Sequence, residues 1–163
     1  MSATTPHQEF LVNYNKFKDK IYTFFWYRVS FDQATAEDLT SEVFIKAFKN
    51  FADFDQTRPF QAWIYKIAQN HLINHYKTLG RQTDLTEAED KTEDQLGHIE
   101  IKFELEKAMA VINELPEYHK QVLLLRFVDG LDNSEIATLL QKEEGAIRTQ
   151  ISRALVELRK RLE

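Results

Sequence analysis

Cysteine is absent from this 163-residue chain, which rules out a disulfide framework and a thiolate metal site and suits a reducing compartment. Glycine and proline are scarce, with four and three residues. A β-sandwich or barrel needs frequent turn residues, so their scarcity argues for helices. No apolar run approaches membrane-spanning length. The N-terminal MSATTPHQEF lacks the basic and apolar pattern of a signal peptide. The expectation is therefore a soluble, cytoplasmic chain with no membrane partner. Positive charge is not in excess either, since the net formal charge is −5.

That negative balance is unevenly spread. Residues 1–80 carry nine Lys/Arg against eight Asp/Glu, and residues 106–163 carry nine against ten. Residues 81–105 carry three against eight and so hold the acidic excess. The text RQTDLTEAEDKTEDQLGHIE has little apolar periodicity and reads as an acidic linker. Its acidity suits either a solvated spacer or mimicry of a nucleic-acid path. The apolar pattern resumes at Ile101, Phe103, Leu105, Met109 and Ile112. The expected fold is all-α: two small helical domains, 1–80 and 106–163, joined by the acidic linker 81–105.

What is present is helical periodicity. In the first domain, one helical pattern runs from about Phe10 to Val29 and is rich in aromatics. A second runs from Ala36 to about Asn50, with Thr35 and Asp38 resembling a capping box. Leu39, Val43 and Ala47 face inward there, with Phe44 and Phe48 beside them. A third starts at Pro59, a first-turn proline, and continues to Thr78. His71 and His75 stand at i,i+4, a spacing that can chelate a metal. No third ligand accompanies them, so structural histidines and no metal are expected.

The second domain reads as a helix-turn-helix. Pro116 marks a helix start, with Val122, Leu123, Leu125 and Phe127 on its apolar side. Gly130 supplies a stop, and Asp132 or Asn133 caps the next short helix of Ile136, Ala137, Leu139 and Leu140. In the last helix Ile147, Ile151, Ala154, Leu155, Leu158 and Leu162 share one face. At about 100° per residue, Thr149, Ser152 and Val156 lie opposite that stripe. Arg148, Arg153, Arg159 and Lys160 flank them. Short hydroxyl residues between arginines suit a helix entering a DNA major groove, where arginine reads guanine edges or grips phosphates.

Together the two domains resemble the extracytoplasmic-function sigma factors, the smallest bacterial transcription initiation factors. Three strings carry the resemblance. ATAEDLTSEVFIKAFKNF is similar to the helix with which that family docks on the clamp helices of core RNA polymerase. RPFQAWIYKIAQNHLINHYK is similar to its promoter-melting and −10-reading helix. LPEYHKQVLLLRF, LDNSEIATLL and GAIRTQISRALVELRKRL, in that order, are similar to its −35-reading domain. The resemblance implies a protein that is no enzyme by itself and needs no cofactor. Its partners would be the clamp helices of the largest subunit and the flap region of core RNA polymerase, promoter DNA and an anti-sigma factor.

Carried onto these residues, the resemblance assigns core binding to Asp38, Leu39, Glu42, Phe44, Lys46 and Lys49. It assigns −10 contacts to Arg58, Trp63, Tyr65, Lys66, Gln69, Asn70 and Lys77, and −35 contacts to Arg148, Thr149, Ser152 and Arg153. The loop Phe51 to Arg58 would form the pocket for a flipped base. Helical geometry turns Phe60, Ile64 and Ile67 inward with Trp63 near them. It turns Tyr65, Lys66, Gln69, Ile73 and Lys77 outward.

One departure from the family pattern stands out. Gln141, Lys142 and Glu143 replace a glycine, an apolar residue and a serine cap before the last helix. Loss of that glycine strains the turn or lengthens the preceding helix. Glu143 and Glu144 suit a helix N-terminus but repel phosphates. Alternative readings are a free-standing helix-turn-helix regulator, a sigma-like protein recruited to DNA by another targeting factor, and a metal-dependent enzyme built on His71 and His75. No appended sensory domain is apparent.

Overall fold

Capping chemistry decides where the first helices begin. The computed structural model describes residues 5–82 and 99–163; the linker expectations for residues 83–98 lie outside the described residues. Thr5 starts helix α1 (Pro6–Arg28) through a capping box in which its hydroxyl accepts from the Gln8 amide while the Gln8 side chain accepts from the Thr5 amide. Helix α2 (Gln33–Lys49) starts three residues before the position expected from Thr35. Asp32 is the cap, accepting from both the amide and the hydroxyl of Thr35. A 3-10 turn at Phe51–Asp53 and a loop lead to helix α3 (Phe60–Gln82), which continues one turn past the expected end.

Among the described residues all regular structure is helical, and the chain divides into two compact units, Met1–Asp90 and Lys91–Glu163. In the first unit, Phe17, Ile21, Phe24 and Phe25 of α1 are buried against Ala36, Leu39, Val43, Phe44 and Ala47 of α2 and Phe60, Ile64, Tyr65 and Ala68 of α3. Rings meet mostly edge to face: Phe10 lies 5.4 Å from Phe51, Tyr14 lies 4.9 Å from Phe44, and Phe24 lies 5.7 Å from Tyr65. Each such pair adds about 0.5–1.5 kcal/mol beyond the area it buries. Phe48, expected inside, is 47% exposed and covers Phe10 from the rim. The corner between α1 and α2 takes two successive left-handed residues, Ser30 and Phe31.

The second unit comprises α4 (Ile99–Asn113), α5 (Glu117–Leu123), α6 (Asn133–Leu140) and α7 (Glu144–Leu162). Pro116 is the residue before α5 rather than its first, with an extended ψ of 145°. At its C-terminal end α5 widens into a π-helical turn at Leu124–Val128. The extra residue in that turn changes which side chains point inward. Val122, Leu123, Leu124 and Leu125 are all buried, and Phe127, expected on the apolar side, is turned out to 60% exposure. Gly130 closes the element with a φ of 75°. Asp132 then caps α6 in a second capping box, with Glu135.

The turn before α7 shows how the missing glycine is accommodated. Gln141 itself adopts the left-handed conformation, with φ 57° and ψ 49°. The Lys142 amide donates to the Ala137 carbonyl at 2.9 Å and the Gln141 amide to Thr138 at 3.4 Å. These are the paired bonds of a Schellman termination. The helix is therefore strained at its end and not lengthened. A non-glycine residue there costs roughly 1–2 kcal/mol in steric strain. Glu143 precedes α7 with no side-chain cap bond.

Candidate functional site

Three exposed faces hold the residues singled out in the sequence. On α2 the outward face carries Asp38, Glu42, Lys46 and Lys49. Leu39 and Phe44, assigned to core binding by the resemblance, are each only 4% exposed and belong to the core, in keeping with the inward stripe. Both α1 and α3 pack on α2, and together they cover a wider arc than one stripe. The apolar area on this face comes instead from Ile45, 55% exposed, and Phe48. Ile45 lies about 200° around the helix from buried Val43, so spacing could have flagged it. Glu42 does not stand alone: its Oε2 lies 2.5 Å from Nε2 of His71 on α3. His71 thus has a structural partner, and no group of three metal-ligating side chains converges among the described residues.

The second face combines the loop before α3 with the first half of that helix. Asp55 organises the loop. Its carboxylate accepts from the Thr57 hydroxyl at 2.6 Å and amide at 3.0 Å, and Arg58 lies 3.6 Å away. These hydrogen bonds, helped by the arginine, hold the Asp55 carboxyl below its ordinary range. Arg58, Asn70 and Lys77 are exposed, and Lys66 and Gln69 are half-buried. Trp63 is also half-buried; its ring packs 4.7 Å from Phe54 and 5.5 Å from Phe60, leaving part of the indole open. Tyr65, expected to point outward, is 1% exposed. It sits three residues before buried Ala68, on the side of α3 that meets Phe24 of α1, so the inward face of α3 has two partners rather than one.

The third face is the outer side of α7. Arg148, Thr149, Ser152, Arg153 and Val156 are all exposed, while Ile147, Ile151 and Ala154 opposite them are buried. Leu155 and Leu158 are half-buried and Leu162 is exposed, so the apolar stripe fades toward the C-terminus. The Thr149 hydroxyl donates to the Gly145 carbonyl at 3.0 Å. Glu143 and Glu144 at the start of α7 are both exposed.

A short capped helix, a left-handed turn and a helix with an outward Arg-Thr-Ser-Arg face form a complete helix-turn-helix. The two units match two families in order: Sigma-70 region 2 over residues 14–82 and Sigma-70 region 4 over residues 105–158. The chain is 34% identical over 137 residues to the RNA polymerase sigma-H factor of Pseudomonas aeruginosa, covering 76% of this chain and 70% of that one. It is 35% identical over 151 residues to the ECF RNA polymerase sigma factor BldN of Streptomyces coelicolor. The chain belongs to the ECF RNA polymerase sigma factors. That match takes in 87% of this sigma factor and 56% of the BldN relative, so the chain spans little more than half of that relative's length. In fold the sigma factor is similar to RpoE of Bartonella quintana, solved with the anti-sigma factor NepR, at TM-score 0.74 and 20% identity over 95% of this chain and 97% of that one.

In these terms the α2 face and the α3 face both belong to region 2, and the α7 face belongs to region 4. Among the described residues no helix of the sigma factor is long and apolar enough to cross a membrane. Sequence reasoning missed Ile45, Phe48 and the engagement of Glu42 by His71. The last had no local signal, because the two residues are 29 positions apart.

Proposed function

We propose that this chain directs core RNA polymerase to specific promoters, with residues 1–80 and 106–163 as its two working domains and residues 81–105 as their link. The exposed side of α2, with Asp38, Glu42, Ile45, Lys46, Phe48 and Lys49, docks on the clamp helices of the largest subunit. Opposite charges around exposed apolar area give such a surface both register and affinity. Arg58, Trp63, Lys66, Gln69, Asn70 and Lys77 meet the −10 element. The half-open indole of Trp63 offers a stacking face for a base that leaves the duplex, and the lysines neutralise phosphates. Arg148, Thr149, Ser152 and Arg153 enter the major groove of the −35 element. Region 4 also engages the flap region of the polymerase.

Neither domain has a strong basic excess, so affinity for free DNA is weak and the polymerase supplies the rest. The protein works in the cytoplasm and catalyses nothing itself. An anti-sigma factor that covers the α2 and α7 faces is its regulator. The observation that carries this reading is the outward Arg148-Thr149-Ser152-Arg153 face on the second helix of a helix-turn-helix, preceded in the same chain by an acidic-led helix whose charged side is exposed. Run-off transcription with purified core polymerase tests it. Defined start sites that appear only when the protein is added are the expected result. Binding to polymerase without any start would favour recruitment by another DNA-targeting factor. Sequence-specific DNA binding without polymerase binding would favour a free-standing regulator.

A further inference from the structure

The docking side of α2 and the DNA-reading helix α3 are joined by the side-chain contact between His71 and Glu42. A carboxylate only accepts hydrogen bonds, so Nε2 of His71 carries the proton and donates to Oε2 of Glu42 at 2.5 Å. Nδ1 is buried with no hydrogen-bond partner among the described residues. The His71 side chain is 17% exposed and the Glu42 side chain 56%. The ring is thus held by the packing between the helices, while the carboxylate it grips remains open to a partner. An exposed glutamate otherwise samples many rotamers, and ordering it at an interface opposes binding.

We propose that His71 is a positioning residue for polymerase docking: from α3 it fixes the Glu42 carboxylate in one pose on the exposed face of α2. This rests on the reading of α2 as the clamp-docking helix. One oxygen of Glu42 is committed to His71 and the other remains for a cationic or N–H group on the clamp. The contact also ties the helix that meets promoter DNA to the helix that meets polymerase, so a shift of α3 moves the docking carboxylate.

A double-mutant cycle on affinity for core polymerase tests the proposal, using the full chain and the variants Glu42→Ala, His71→Ala, His71→Gln and Glu42→Ala with His71→Ala. If His71 acts through Glu42, each single alanine variant weakens core binding about tenfold, and the double variant binds no more weakly than Glu42→Ala alone. His71→Gln keeps a donor at similar reach and restores most of the affinity. Thermal unfolding of each variant supplies the second readout. If His71→Ala lowers the melting temperature but binds polymerase as wild type does, the contact is only an interhelical staple and the proposal fails. It also fails if the two alanine effects add. If the wild-type chain does not bind core polymerase, the docking reading of α2 is what has failed.

Discussion

The two units solve the same problem with different materials. Region 2 is packed with rings: Phe17, Phe24, Phe25, Phe31, Phe44, Phe51, Phe54, Phe60 and Tyr65 are all buried. Region 4 is packed with Leu, Ile and Val, and its one buried polar side chain among the described residues is His119. Rings at fixed edge-to-face angles hold three long helices in one register, and they leave Trp63 half-open on the rim. In region 4 the helices before α7 are shorter and the turns between them carry more of the specification. Its first turn is well made, with Gly130 in the left-handed region and a complete capping box at Asp132. Its second turn, directly before α7, has a strained glutamine and no cap. Region 2 is therefore sensitive at its core and region 4 at the start of α7.

The largest effect that would break this contrast is expected from Phe24→Ala. Phe24 is 1% exposed and meets Phe25, Tyr65 and the Arg28 guanidinium. Removing the ring costs about 3–5 kcal/mol. Limited proteolysis should show region 2 cut first while region 4 persists; simultaneous loss of both would show that the units do not unfold independently. Next comes Glu143→Ser, which supplies the missing cap and removes a carboxylate from the start of the helix proposed to enter DNA. Region 4 should gain about 1 kcal/mol in chemical denaturation, and promoter complexes should tolerate more salt. Unchanged salt tolerance would mean that Glu143 does not face the phosphates.

Gln141→Gly sharpens the same point at smaller scale. Strain at φ 57° is relieved, but glycine loses more backbone entropy on folding, so the net gain is below about 1 kcal/mol. A loss of stability would show that the glutamine side chain contributes something beyond the turn. The smallest effect belongs to the region 2 loop. Asp55 is held below its ordinary range mainly by Thr57. A depressed carboxylate stabilises the fold above its unfolded pKa and loses that contribution as pH falls through the folded value. The Thr57 amide resonance should therefore hold its position at neutral pH and move only as pH falls below the ordinary aspartate range. Movement within the ordinary aspartate range would contradict the Asp55 clasp.

Much of this protein is legible in its amino-acid sequence. Helix existence, the inward stripes of α2 and α7, the stop at Gly130 and the cap at Asp132 follow from periodicity and turn chemistry, which act within a few residues. The outward position of Arg148, Thr149, Ser152 and Arg153 follows from the same arithmetic because α7 has one clear apolar stripe. Other positions depend on what packs from a distance. Tyr65 is buried because two helices, not one, lie against α3. Phe127 is exposed because a π-helical turn shifts the register of α5, and nothing in the local pattern announces that extra residue. Sequence by itself determined which segments are helices and which side each prefers to bury, since those preferences are local. Tertiary structure alone decided the width of each buried arc and the pairing of His71 with Glu42, since both depend on helices brought together across long stretches of chain.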